Sequence, residues 1–227
     1  YPHLRSPLKA AIAEIEHLRS TVPTLDPGLW MITRSGRAFH PAAPRIGSIC
    51  LDDIAHGLSR TCRYAGQVRG YYSVAEHSVH LSLAGQPIEV QIIALLHDAA
   101  EAYILDIPRP LKVQLGEAYK RIERIVEAAI CAHLGLETIS HPWVKAADDQ
   151  ILADERAALL PPCPEGMTWT CREPLGVTIR GWLPDEAKHA FLTVAADLGL
   201  CEPPESLPGD GVSGTTPTKA GVSRVRP

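Results

Sequence analysis

The stretch IIALLHDAAEAYILDIPRP, residues 92–110, decides the fold. It opens on Ile92, Ile93, Ala94, Leu95 and Leu96, then sets His97 and Asp98 side by side, with Glu101 one turn later and Asp106 a little beyond. Pro108 and Pro110 end the helical pattern. A helix that is apolar on nearly every face belongs inside a bundle. Charged groups are costly there unless they are paired or bound to a metal, so a His-Asp doublet at the end of such a helix points to metal ligation. The plainer alternative is a helix-terminal histidine beside a partner carboxylate. Adjacent helical side chains diverge by about 100°. Both therefore reach one ion only if it sits near the helix edge or end, and the apolar run ends soon after them.

Helices are expected on both sides of this segment. The central helix itself spans residues 89–103. Before it, residues 51–63 carry Ile54, Ala55, Leu58 and Cys62 on one face, and Ser73 with Glu76 forms a Ser-x-x-Glu capping box for a helix bearing Val74, His77, Leu81 and Ala84. After it come a long helix over 116–134 closed by Gly135, a helix opened by Pro142 and running to about 160, and a last one over 185–198. An amphipathic helix is read over 4–19, and MITRSGRAF (31–39) reads as a short hairpin around Ser35-Gly36. Residues 160–181 are rich in Pro, Gly and Trp, with strand or an irregular lid over 176–180. The fold class is all-α: one helical bundle over residues 1–200 with a small β-hairpin near the N-terminus, then an irregular Pro/Gly/Ser/Thr-rich tail over 201–227.

Two further positions complete a ligand set. His77 sits between apolar Val74 and Leu81, with His80 three residues on as a competitor that faces more outward. In VKAADDQILADE, Asp148 shares the core stripe of Val144, Ile151, Leu152 and Glu155, whereas Asp149 sides with Lys145, Ala153 and Arg156; Asp148 is the preferred ligand. His77, His97, Asp98 and Asp148 then form a mixed N/O set suited to one divalent transition metal, Zn, Mn, Co or Fe. Such a set leaves positions open for water and substrate, as catalytic sites do. Glu101, four residues after His97, is placed to orient or deprotonate a water, and Asp106 to act as acid or position the nucleophile. Arg63 and Arg109 are the candidates for contact with an anionic substrate; Arg60, Gln67 and Lys112 lie nearby, with surface ion pairs the bland alternative. His133 and His141 are read as structural, so a single metal is the default.

Composition narrows the rest. The chain has 227 residues, 45% of them apolar, enough for one sizeable core, and its formal net charge of −4 leaves no broad basic field for polymeric nucleic acid. No apolar run approaches the length of a membrane span and no signal peptide is visible, although the chain does not begin with Met. Six cysteines without a Cys-x-x-Cys pair read as reduced thiols of a cytoplasmic protein; Cys163 and Cys171 are the one pair a loop could bring together.

The order His77, His97-Asp98, Asp148 resembles the H…HD…D motif of the HD-domain phosphohydrolase superfamily. VAEHS (74–78), HDAAEAYILD (97–106) and the Pro-x-Pro-x-Lys turn (108–112) are similar to its 5'-deoxynucleotidase-like branch, and WMITRSGRAFHP (30–41) to small phage and bacterial phosphohydrolases. The similarity covers about residues 51–160. It implies metal ligation by His77, His97, Asp98 and Asp148, catalytic roles for Glu101 and Asp106, and a phosphate-contacting arginine, Arg63 or Arg60. The expected activity is hydrolysis of a (deoxy)nucleoside 5'-monophosphate to nucleoside and phosphate. A triphosphohydrolase is the rival enzyme and a nucleotide-binding module without turnover the rival of another class; a two-metal oxygenase is weaker, since it needs more histidines. Tyr71, Tyr72 and Tyr103 are candidates for a base or sugar pocket. A homodimer through the N-terminal helix is the expected assembly.

Overall fold

A computed structural model describes residues 28–205 except Gln86, together with positions 9, 12–14, 16 and 17. The expected N-terminal helix lies mostly outside the described residues, although the positions described there are helical. Most of the tail, residues 206–227, also lies outside them.

The remaining chain is a helical bundle with one hairpin. Strands β1 (Met31–Ile32) and β2 (Ala38–Phe39) pair antiparallel, Met31 with Phe39 and Ile32 with Ala38. Gly36 takes the left-handed turn position at φ 80°. The tip is tied down by Asp53, whose carboxylate accepts the Ser35 amide at 2.8 Å and its hydroxyl at 2.6 Å. Seven helices follow: α1 (Leu51–Arg60), α2 (Val74–Ala84), α3 (Ile88–Leu96), α4 (Glu101–Ile104), α5 (Arg109–Leu134), α6 (Pro142–Leu159) and α7 (Pro184–Asp197). The main core gathers Phe39, Ile54, Leu58, Val79, Leu95, Ile130 and Phe191, while Leu81, Val90, Ala94, Val144 and Ile151 pack α2, α3 and α6 together. Among the described residues no helix is long and apolar enough to cross a membrane.

Several boundaries differ from the sequence reading, each for a physical reason. The helix expected over 51–63 stops at Arg60, because the chain turns extended to pair with the approach to α2: Arg63 N–H donates to Tyr72 O at 2.9 Å and Val74 N–H to Thr61 O at 3.0 Å. Tyr64 and Ala65 then adopt left-handed φ of 56° and 52°. Ser73 caps α2 as expected, accepting from Glu76 N–H at 3.2 Å, but the capping box is only half made. The Glu76 carboxylate instead accepts the amides of Arg180, Gly181 and Trp182 at 2.7, 2.9 and 2.7 Å, so three donors of the 176–183 segment take the place of one N-cap amide. That segment is held irregular rather than forming a strand.

The central helix is also not continuous. After α3 the bonding tightens to the i→i+3 pattern, Ala99 N–H to Leu96 O and Glu101 N–H to Asp98 O at 2.9 Å each, before α4 resumes. A three-residue turn eclipses side chains three apart, which aligns Glu101 with Asp98 rather than with His97. Leu105 reverses the chain at φ 69°, ψ 156°. The long helix begins at Arg109, not at Gly116, and is broken within by Gly116 at φ 63°, ψ −145°. Gly135 closes it in the left-handed conformation, and Pro142 opens α6, both as the sequence indicates.

Candidate metal centre

Three elements converge at His77: α2, the end of α3, and α6. α2 brings this imidazole into the core, where none of it is exposed. Its Nδ1 lies 2.7 Å from Glu155 Oε1 of α6, so Nδ1–H donates and Nε2 carries the free lone pair. His97, at the end of α3, is held likewise: its Nδ1 lies 2.8 Å from Ala94 O, which commits that proton to the carbonyl. The two Nε2 atoms then face each other at 3.3 Å. Asp148 Oδ1 stands 3.2 Å from His77 Nε2, and Asp98 Oδ2 3.1 Å from His97 Nε2 and 3.8 Å from His77 Nε2.

Two bare lone pairs in contact repel unless a proton or a cation sits between them. The separations match the edges of a coordination shell with bonds of about 2.0–2.2 Å. His77, His97 and Asp148 each offer a ligand atom within 4.8 Å of the others, a group able to hold a metal ion. Asp98 borders this tighter group. Two imidazoles with carboxylate oxygen suit a divalent first-row metal. Among the described residues no other such group occurs.

The electrostatics support a bound positive charge. Burial and Arg63 push the His77 pKa down, but Glu155 and Asp148 outweigh them and raise it to about 9, so without a metal a proton occupies the gap. Burial would raise Glu155; Arg63, His77 and Tyr64 bring it instead to about 2. Burial would also raise Asp98, yet His97, His77 and Arg63 hold it below the ordinary carboxylate range. Glu101 goes the other way: burial, with Asp98 and Asp106 beside it, pushes its carboxyl well above that range. Its Oε2 is buried without a hydrogen-bond partner. Asp106 is raised by burial and by Asp98, against the pull of Arg63.

The remaining expected site residues divide. Arg63 is at the cluster, with its guanidinium 3.4 Å from both Asp98 and Glu155. Lys112 reaches its edge, 2.7 Å from Glu123 and 3.8 Å from Glu101. Arg60 is tied away, 2.7 Å from Asp185 of α7. Gln67 and Arg109 are exposed, and Arg109 has no ion-pair partner among the described residues. Asp149 pairs outward with Arg172 at 3.3 Å, while Asp148 faces the cluster. His80 turns to Glu76 and Trp182. Tyr72 and Tyr103 are core residues rather than pocket walls: Tyr72 donates to Glu155 at 2.8 Å, and Tyr103 stacks on Phe39 at 4.0 Å.

A cavity of 710 Å³ opens on the other side of the cluster, between α5 and α6. His97 and Asp148 lie in its wall, with Arg124, Glu127, Ser140 and Lys145 around them. The size suits a small organic ligand.

Over 127 residues the chain is 43% identical to the uncharacterized protein YfdR of Escherichia coli (strain K12), and the match spans 56% of this chain and 70% of YfdR. The chain belongs to the YfdR family. The uncharacterized protein RCAP_rcc00048 of Rhodobacter capsulatus is 34% identical over 126 residues, 52% of this chain and 64% of that protein. No family model matches the chain. Neither relative carries an activity in its name, so the chemistry of this YfdR-family member rests on its own side chains.

Among them, two were not assigned from sequence. Glu155 is fully buried and joins His77, Arg63, Tyr72 and Tyr64. Its signal was present, because it lies seven residues after Asp148 on the same inward stripe. Tyr64 gave none: the left-handed backbone that aims its hydroxyl at Glu155 has no glycine or asparagine to announce it.

Proposed function

We propose that this chain is a metal-dependent phosphohydrolase that converts (deoxy)nucleoside 5'-monophosphates to nucleoside and phosphate. The observation that carries the reading is the pair of imidazole Nε2 atoms, 3.3 Å apart with both Nδ1 atoms already committed and Asp98 at their edge, next to which Glu101 is buried with an unpartnered oxygen. His77, His97, Asp98 and Asp148 hold the cation. A bound cation there supplies Lewis acidity to a phosphoryl oxygen and lowers the pKa of a water. Arg63, fixed by Asp98 and Glu155, offsets the phosphoryl charge as the leaving oxygen departs. Glu101 orients the water through its unpartnered Oε2, with Lys112 Nζ 3.8 Å from its other oxygen. Asp106 orients the reacting groups from the turn beyond Leu105. The nucleoside lies in the 710 Å³ cavity against α5 and α6.

One observation favours a second reading. Arg124 and Lys145 on the cavity wall offer a place for further phosphates, as a triphosphohydrolase needs; Glu14, Glu127 and Glu137 in the same wall oppose it. A screen of nucleoside mono- and triphosphates with Mn2+, Co2+ or Zn2+ decides. Phosphate and nucleoside from monophosphates are expected, with loss of turnover but retained metal in Glu101→Ala. Release of triphosphate would establish the second reading, and binding without release from any nucleotide would reduce the chain to a binding module.

A further inference from the structure

The irregular segment after α6 leaves as Leu160, Pro161, Pro162 and Cys163 and passes α6 again at Trp169 and Cys171. A single side chain of α6 holds both passes. Arg156 donates to the Trp169 carbonyl, its Nη2 lies 3.0 Å from Cys163 Sγ, and its Nη1 lies 3.9 Å from Cys171 Sγ. Both thiols are free and half-buried. Cys171 also lines an open cavity of 480 Å³ with Arg69, Arg156, Pro161 and Pro162, which gives a small oxidant access.

We propose that Cys163 and Cys171 form a modification site that closes to an intramolecular disulfide, with a peroxide as oxidant. One guanidinium touches both sulfurs, so the two thiols lie within the span of a single side chain. Disulfides need Cα atoms about 4.4–6.8 Å apart. The intervening residues can reach that geometry: apart from Trp169, held by Arg156 and Tyr64, they carry no strand pairing, only the Met167 N–H to Pro164 O turn at 3.0 Å and Gly166 at φ 77°. The chemistry balances with hydrogen peroxide. The Cys171 thiolate attacks one peroxide oxygen; the S–O bond forms, the O–O bond breaks, and hydroxide leaves and is protonated to water. The Cys163 thiolate then attacks the resulting sulfenic sulfur; the S–S bond forms, the S–O bond breaks, and a second water leaves. Two thiols lose two electrons in all, and peroxide gains them. A dithiol reverses the change by exchange.

Closure reaches the metal centre through three contacts. The Trp169 ring stands edge-on to Tyr64 with centroids 6.1 Å apart. Tyr64 donates to Glu155, and Glu155 holds His77. Moving Trp169 therefore loosens the carboxylate that orients His77, so the disulfide weakens cation binding. This second step rests on the proposed metal centre, whereas the disulfide itself does not.

The test uses the full chain, stripped of metal and treated with hydrogen peroxide. Free thiols are alkylated and the digest is mapped by mass spectrometry. A linked Cys163–Cys171 pair, two hydrogens lighter than the dithiol and restored by dithiothreitol, is the expected result, with Cys50, Cys62, Cys131 and Cys201 alkylated. Titration with Co2+ should then give several-fold weaker binding for the oxidised chain. That difference should vanish in Cys163→Ser and in Cys171→Ser. Alkylation of both sulfurs, separate over-oxidation, or linkage to any other cysteine would overturn the proposal. Equal Co2+ affinity in both states would overturn the coupling. No Co2+ binding in either state would refute the metal centre while leaving the disulfide map to be read.

Discussion

Four donors converge on Glu155: Tyr64, Tyr72, His77 and the guanidinium of Arg63. This carboxylate fixes the tautomer and angle of His77, and losing such a partner typically weakens a metal site about 10–100-fold. Glu155→Gln keeps the shape and removes the charge. Its metal affinity should fall by that order in a competition titration against a chelator, and unchanged affinity would exclude Glu155 from the support of the site. It should also lower the melting temperature of the metal-free chain, because Arg63 loses its principal buried counter-charge. Glu127 supplies a pH-dependent counterpart. Burial, with Glu123 and Asp98 nearby, raises its pKa from 4.5 to about 7. The folded chain therefore holds this proton when the unfolded chain has lost it. Its contribution to stability is fully present below pH 4.5 and disappears as pH rises through 7, a change on the order of 3 kcal/mol. Urea denaturation from pH 4.5 to 8 should show this loss, and Glu127→Gln should flatten it.

At the scale of elements, two backbone features place the site. α1 crosses α4 so closely that a Cβ on Gly57 would lie 2.6 Å from Ala102 O. Alanine in a helix is ordinarily worth about 0.5–1 kcal/mol over glycine. Here the clash should reverse the sign, so Gly57→Ala should lose about 1–3 kcal/mol in urea denaturation; a gain would mean that α1 moves aside freely. Leu105 sits at φ 69°, ψ 156°, a region that is essentially reserved for glycine. Leu105→Gly should raise stability by about 1 kcal/mol or more, and a lower melting temperature would show that this turn is not strained. The elements were legible where the signal is local. Ser73, Gly135 and Pro142 are terminators written in single residues, and the apolar stripe of α1 follows from spacing alone. The break at residues 97–100 was not legible, since Ala99 and Ala100 are good helix formers and only tertiary packing tightens that turn. Nor was the destination of Glu76, whose partners lie more than a hundred residues away.

For the whole molecule, the site is where the separate helices have to meet. His77, His97 and Asp148 come from α2, the end of α3 and α6, and the same three helices share the core of Leu81, Val90, Ala94, Val144 and Ile151. The doublet and the inward stripe made these residues readable from sequence, because charged groups on apolar faces require partners. The cavity was not readable: the sequence directed attention to arginines before α2 and after α4, whereas the open space lies between α5 and α6. A cation bound at this junction joins three helices and stabilises the folded state in proportion to its occupancy. The most direct test is equilibrium dialysis of the metal-stripped chain against Mn2+, Co2+ and Zn2+, in parallel with His97→Ala and Asp148→Asn. One tightly bound ion per chain is expected, accompanied by a rise in melting temperature, with both effects lost in His97→Ala and weakened in Asp148→Asn. Absence of stoichiometric binding, or full binding retained by His97→Ala, would contradict a cation centre at His77 and His97.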